Sequence, residues 1–371
     1  MSKIEELIQQ YCPDGVEYVK LGEVAEVCRG VRVVKKQLTD SGYPVFQNCL
    51  APMGYFDKTN CKGETTYIIC AGAAGSIGYT KEDCWAADDC QYIKCSGNII
   101  NKYIYYCLLT NQNILLSKVR KASIPRLSPN VIKDLSIPIP PLEVQEEIVR
   151  ILDKFSLLTA ELEAELELRR KQYDFYRNQL LSFDSDSDTV QWKKLGEVCE
   201  IERGKVFSKK YIEEHRGQYP VFSSQTANNG ELGKIDTYNY DGEYITWTTD
   251  GAYAGSIFFR KGKFSITNVC GLIKNNYKLF NIRFLFHWLR LVAKNYVYSG
   301  MGNPKLMSNQ IAEISIPIPP LSEQQRIVDI LDRFDALVND LSAGLPAEIA
   351  ARRKQYEYYR DTLLTFKRKA E

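Results

Sequence analysis

Histidine is nearly absent from this chain, with two residues in 371. A catalytic triad built on imidazole, or a histidine-rich metal centre, is therefore not expected. No C-x-x-C pair occurs among the 11 cysteines, and the close trio Cys84, Cys90 and Cys95 fits no zinc spacing. A G-x-x-x-x-G-K-[ST] loop is missing, which removes a P-loop ATPase. No Asp or Glu is followed two residues later by Lys, so the usual carboxylate end of a metal-dependent nuclease site is lacking. The Asn/Asp-Pro-Pro-aromatic step of an amino-methyltransferase centre is lacking too. No run of 18 apolar residues exists, so no membrane span is expected. The opening MSKIEELIQQ contains no apolar stretch, so no secretory leader is expected, and the cysteines are read as reduced thiols in a cytoplasm.

What is present is ordinary for a soluble chain: 44% hydrophobic, 12% aromatic and 25% charged residues, which argues against disorder and leaves room for two or three domains with real cores. The net charge of +2 does not advertise a polyanion binder, but it is unevenly spread. Residues 137–189 hold 6 basic and 12 acidic side chains, whereas residues 190–320 hold 17 basic and 11 acidic. Residues 1–136 are also slightly basic, with 16 against 14. Basic globular stretches joined by an acidic one are weak evidence for a polyanionic partner; chance segmentation would give the same picture.

The informative feature is duplication. LGEVAEVCRG (21–30) recurs as LGEVCEIERG (195–204), and Lys35-Lys36 as Lys209-Lys210. Tyr43-Pro44-Val45-Phe46 recurs as Tyr219-Pro220-Val221-Phe222, and Gly75-Ser76-Ile77 as Gly255-Ser256-Ile257. IPRL (124–127) matches NPKL (303–306), SIPIPPL (136–142) matches SIPIPPL (315–321), and RRKQY (169–173) matches RRKQY (352–356). The period is far too long for a solenoid, so two homologous domains related by a pseudo-twofold are expected. The copies differ most in their middles, where each would bind something different.

Each middle reads as short strands broken by turns, with β-rich runs at Tyr67–Cys70 and Glu243–Trp247 and a helix near 101–112 and 281–293. Gly72, Gly75 and Gly78 could cradle a phosphate, but a tight strand-to-strand turn is the simpler reading. After Pro140-Pro141 and Pro319-Pro320 the pattern changes, because proline suits the residue just before or at a helix start. Ile148, Leu152, Phe155, Leu162, Leu166, Tyr173, Tyr176 and Leu180 then follow heptad-like steps, as do Ile327, Leu331, Phe334, Val338 and Leu341. The first such helix, 142–183, would be about 60 Å long. In the second copy four residues are inserted near Ala343–Pro346, a stutter at which Pro346 should bend or interrupt the helix. The expected fold class is α+β: two homologous mainly-β domains separated by two long antiparallel coiled-coil helices. The expected segments are 1–136, 137–189, 190–315 and 316–371.

These motifs resemble the specificity subunit of type I restriction-modification enzymes. Two L-G-E-[VI] starts, variable β-rich middles, and PPLEVQEEIVRILDKF and PPLSEQQRIVDILDRF carry the resemblance over the full length. The Glu-Gln step stands at Glu323-Gln324, whereas Val144-Gln145 departs from it. The resemblance implies a non-catalytic subunit in which segments 1–136 and 190–315 are target-recognition domains, each reading half of a bipartite double-stranded DNA site. The helical segments 137–189 and 316–371 would set the spacer and dock two methyltransferase subunits. S-adenosylmethionine would be bound by those subunits, with no cofactor or metal in this chain. A restriction-translocase subunit would join for cleavage, and the exposed helix seam implies self-association when partners are absent. The reading from another class is a helical scaffold whose β-rich domains bind protein.

Chemistry narrows which residues would touch DNA. Arg29-Gly30, Lys35-Lys36, Arg203-Gly204 and Lys209-Lys210 recur, so they are assigned to phosphate positioning. Base readers are expected where the copies differ: Gln47, Asn48, Ser76, Arg120, Lys121, Ser123 and Arg126 in the first copy. In the second they are Ser223, Ser224, Gln225, Asp250, Tyr253, Asn303 and Lys305.

Overall fold

A computed structural model describes residues 3–184, 190–275, 279–299, 302–340 and 343–369; the expected segment boundary at 189 lies outside them. The chain forms two compact units, one of Met1–Glu163 with Glu348–Glu371, the other of Ala164–Ala347. These units cut across the repeat, because each takes half of each helical segment.

In unit 1, strands Ala25–Arg29, Cys90–Cys95, Thr65–Ile69 and Ile77–Thr80 lie side by side in one antiparallel sheet. Tyr43–Phe46 forms a second, small sheet with Tyr55–Phe56 and Trp85–Ala86. In unit 2 the corresponding strands merge into one six-stranded sheet, in the order Glu200–Arg203, Cys270–Lys274, Tyr240–Thr248, Ile257–Ile266, Arg216–Phe222, Glu231–Ile235. The difference is the ten-residue strand Ile257–Ile266, which runs on to pair in parallel with Val221 and Phe222. In unit 1 the Lys81–Asp83 stretch interrupts that path. The turn Ala71–Ser76 joins two neighbouring strands, with Gly72 and Gly75 at φ of 84° and 88° and Gly75 N–H donating to the Ile69 carbonyl at 2.8 Å. The glycines thus make a turn that needs left-handed backbone.

The helix Asn101–Thr110 covers the sheet of unit 1 and Ile282–Val292 that of unit 2. Each repeated SIPIP segment pairs with the strand before its L-G-E motif: Ser136–Pro138 with Tyr18–Lys20, and Ser315–Ile318 with Gln191–Lys194. The prolines then release the chain into helices Leu142–Leu180 and Leu321–Asn339. The second copy is two helices, not one. It stops at Asp340 and restarts at Leu345, with Pro346 in the first turn, where its missing N–H costs nothing. A side chain at Gly344 would meet the Ala336 carbonyl at 2.5 Å.

The helices pair antiparallel within each unit. In unit 1, Phe155 stacks on Tyr359 at 5.2 Å and Glu163 pairs with Arg353. In unit 2, Phe334 packs against Tyr173 and Tyr176. The end of the chain also closes onto unit 1: Val16 N–H donates to the Lys367 carbonyl at 2.8 Å, and Lys369 N–H to the Val16 carbonyl at 3.0 Å.

Candidate nucleic-acid interface

In each unit, loops from distant parts of the chain are tied to one edge by the same backbone bonds. In unit 1, Gly30 N–H donates to Cys90, Cys70 N–H to Asp89, Leu127 N–H to Cys70 and Gly72 N–H to Pro125, at 2.9, 2.7, 2.8 and 3.2 Å. In unit 2 the matching bonds are Gly204 to Cys270, Thr249 to Val269, Leu306 to Thr249 and Gly251 to Pro304, at 3.2, 3.2, 2.9 and 3.0 Å. Arg126 bridges Ala71 and Arg120; Lys305 bridges Asp250 and Tyr298. Two sequences that differ in their middles therefore build one frame twice.

Most of the first-copy candidates converge on this frame. Asn48 joins it through its carbonyl, which accepts from Ala73 N–H at 2.9 Å, and it packs over Gly72. Arg120, Lys121, Ser123 and Arg126 sit on the exposed loop beside it, and Ser76 closes the glycine turn. Gln47 is half-buried next to Asn48. Arg29 is exposed at the end of its strand. Lys35 and Lys36 lie apart, on a short 3-10 turn (Lys35–Gln37), also exposed. Among the described residues, none of the six basic candidates, Arg29, Lys35, Lys36, Arg120, Lys121 and Arg126, makes an ion pair with a carboxylate.

Several second-copy candidates are internally partnered. Arg203 Nη2 donates to Thr249 Oγ1 at 3.0 Å and to the Asn268 carbonyl at 2.7 Å. Asp250 lies 3.9 Å from Arg203 and 3.7 Å from Lys305. Ser223 Oγ accepts from Thr267 Oγ1 at 3.1 Å, and Gln225 spends its amide on the Glu231 carbonyl. Tyr253 is 57% exposed and Asn303 is exposed. Ser224 is half-buried. Lys209 and Lys210 begin a short helix capped by Ser208, and Lys210 pairs with Glu214 at 3.7 Å.

The recurring Arg-Gly step has a structural explanation for its glycine. A Cβ at Gly30 would lie 2.0 Å from the Ala87 carbonyl oxygen, and one at Gly204 would lie 2.1 Å from that of Ile266. Their N–H groups are already committed to Cys90 and Cys270. Close strand packing therefore accounts for both glycines, and phosphate contact by their N–H groups is not needed to explain the repeat.

Sequence reasoning missed other residues. Gln145 and Gln324 are fully buried. Gln324 Oε1 accepts from Asn281 N–H at 2.8 Å while Nε2 donates to Leu279 and Pro319 carbonyls at 3.0 and 2.9 Å. Gln145 repeats this with Ile100, Asn98 and Pro140. The shared PPL-x-x-Q pattern was the available signal: the glutamine is common to both copies, whereas the residue before it is Val144 in one and Glu323 in the other. Two turns on, Asp153 accepts from Tyr106 at 2.5 Å, and Asp332 lies 2.6 Å from His287 Nε2 and takes three bonds from Arg283. Burial opposes ionisation of Asp332, but His287 and Arg283 outweigh it and hold the carboxyl at about 2. Asn228 and Asn229 adopt left-handed backbone at φ of 50° and 52° beside Gly230. Arg260 lies beneath, its guanidinium 3.6 Å from the Phe222 ring centre, and burial pushes it down to about 10. No spacing in the sequence marks Arg260. Among the described residues no cluster of His, Cys, Asp or Glu could hold a metal, and no helix is long and apolar enough to cross a membrane.

Comparison with known proteins places this frame. A sequence profile described as the type I restriction modification DNA specificity domain matches residues 13–168 and again 187–351. A putative type I specificity subunit of Mycoplasma pneumoniae is 43% identical over 238 residues, covering 62% of this chain and 92% of that one. The EcoR124I/EcoR124II specificity subunit of Escherichia coli is 35% identical over 291 residues, covering 71% and 70%. The crystal structure of the S subunit from M. genitalium shares the fold at a TM-score of 0.70 and 18% identity, covering 94% of this chain and 96% of that one. With the profile matching once in each half of the duplicated frame, the chain belongs to the specificity subunits of type I restriction-modification systems, the DNA-recognition rather than the catalytic members of those systems.

Proposed function

We propose that each unit reads one half of a bipartite double-stranded DNA site. Segments 1–136 and 190–315 act as the target-recognition domains, and the helical segments 137–189 and 316–371 set the spacing between half-sites. The same helices dock two methyltransferase subunits, which bind S-adenosylmethionine and methylate the site; a restriction-translocase subunit adds cleavage. The assembly works in the cytoplasm, and the chain self-associates when its partners are absent. One observation carries this reading: the two units hold the same backbone frame, yet Ala71, Arg120 and Arg126 in one become Asp250, Tyr298 and Lys305 in the other. A shared frame with exchanged polar side chains is what reading two different half-sites requires, because base-edge contacts carry sequence information and the frame does not.

Exchange of residues 25–127 for those of a relative, followed by sequencing of methylated DNA from cells carrying the matching methyltransferase, tests the reading. One half of the methylated motif should change. A change in both halves, or in neither, refutes it. Deletion of Ala343–Pro346 tests the spacing role: an altered spacer is expected, and an unchanged spacer at full activity refutes it.

A further inference from the structure

Asp250 stands where unit 1 has Ala71, and the backbone around it is matched. Each bridges the basic residue of the last loop, Lys305 or Arg126, and each is flanked by the same three backbone hydrogen bonds. Since alanine serves in unit 1, the frame does not demand a carboxylate at this position. Its contacts are loose. Thr249 Oγ1 donates to Oδ2 at 3.3 Å, while Lys305 and Arg203 stand at 3.7 and 3.9 Å, beyond hydrogen-bond reach. The side chain is 30% exposed, and of a carboxylate's roughly four acceptor positions the Thr249 bond takes one, so acceptor capacity remains for a ligand.

A carboxylate on such an edge repels phosphate and the acceptor-only edges of guanine and thymine. The groups it attracts in the major groove are the exocyclic amines, N4 of cytosine and N6 of adenine. We propose that Asp250 is a specificity-determining residue of unit 2, accepting a hydrogen bond from an exocyclic amino group of its half-site. Arg203, fixed by Thr249 and Asn268, and Lys305 flank the carboxylate at 3.9 and 3.7 Å. Unit 1 has Ala71 at this position, and among the described residues its Arg126 makes no ion pair.

This inference rests on the DNA-reading proposal, and its test separates the two. The full chain, as wild type, Asp250→Ala and Asp250→Asn, is co-expressed with the methyltransferase of its own system, and methylated positions are mapped across the genome. Thermal melting confirms that each variant is folded. Wild type should methylate one bipartite motif. In Asp250→Ala, one base pair of one half-site should lose discrimination by about tenfold or more, with the other half-site and the spacer unchanged. Asp250→Asn, which keeps the shape and adds donors, should shift preference at that same base pair. If wild type methylates no bipartite motif, the DNA-reading proposal itself fails. If wild type does and both variants keep its motif, or both lose methylation at every sequence, the role assigned to Asp250 is wrong.

Discussion

Gln324→Met isolates the buried amide that anchors the second helix to its β-rich unit. Methionine is close in length, so the cavity term is small and the cost is that of unmade hydrogen bonds. Three backbone groups lose their partner: Asn281 N–H, and the carbonyls of Leu279 and Pro319. Each orphaned group in a dry site costs about 1 kcal/mol, giving about 3 kcal/mol in total. Asn281 also caps the helix Ile282–Val292 through its side chain, so losing the Gln324 contact loosens that cap as well. For a unit of this size the melting temperature should fall by about 6–12 °C. Denaturant and thermal unfolding of the full chain, followed by tryptophan fluorescence, measure this directly, since Trp192, Trp247 and Trp288 all lie in unit 2. A loss below about 1 kcal/mol would show that water or rearrangement satisfies these groups, and the reasoning would fail.

Arg126→Ala and Arg203→Ala should part company. Arg126, a base-reader candidate, makes no ion pair among the described residues, so its loss should weaken binding of its half-site by about 1–3 kcal/mol, with little change in stability. Arg203 is held by Thr249 and Asn268, so its loss should cost about 1–2 kcal/mol of unit 2 stability. Binding titrations of the assembled complex and melting of the chain check both; the reverse pattern would overturn the assignment. His287→Tyr should remove a pH dependence. Burial holds this imidazole below its ordinary value despite the opposing effect of its hydrogen bond to Asp332. The unfolded chain then binds the proton more readily than the folded one, so stability falls as the pH drops below about 6.5. Tyrosine is what unit 1 uses at the matched position, where Tyr106 bonds Asp153. Denaturant midpoints between pH 7.5 and 5.5 should fall less for the variant than for wild type; equal slopes would refute the argument.

Much of the architecture was legible from local pattern. Heptad-like spacing marks the helices because side chains three and four apart share a face. The proline pairs mark where they start, and Pro346 marks the break, because proline lacks the N–H that an interior turn needs. The missing catalytic motifs were legible for the same reason: each is a short pattern of residue types. The glycine turn Ala71–Ser76 and the strands beside it also follow from alternation and from the need for left-handed backbone.

The sequence by itself determined that this chain is one unit written twice, with helical arms after each proline pair and divergent middles. It could not say which side chains meet, because those contacts join residues far apart in the chain. Only the folded chain put Arg203 beside Thr249 and Asn268, gave Asp250 the frame position that Ala71 holds in unit 1, and bonded Lys367 and Lys369 to Val16. It also assigned the repeated glycines to close packing and the repeated glutamines to buried backbone groups. Periodicity reports which face of an element is buried; the partner across that face is fixed by packing and hydrogen bonding in three dimensions.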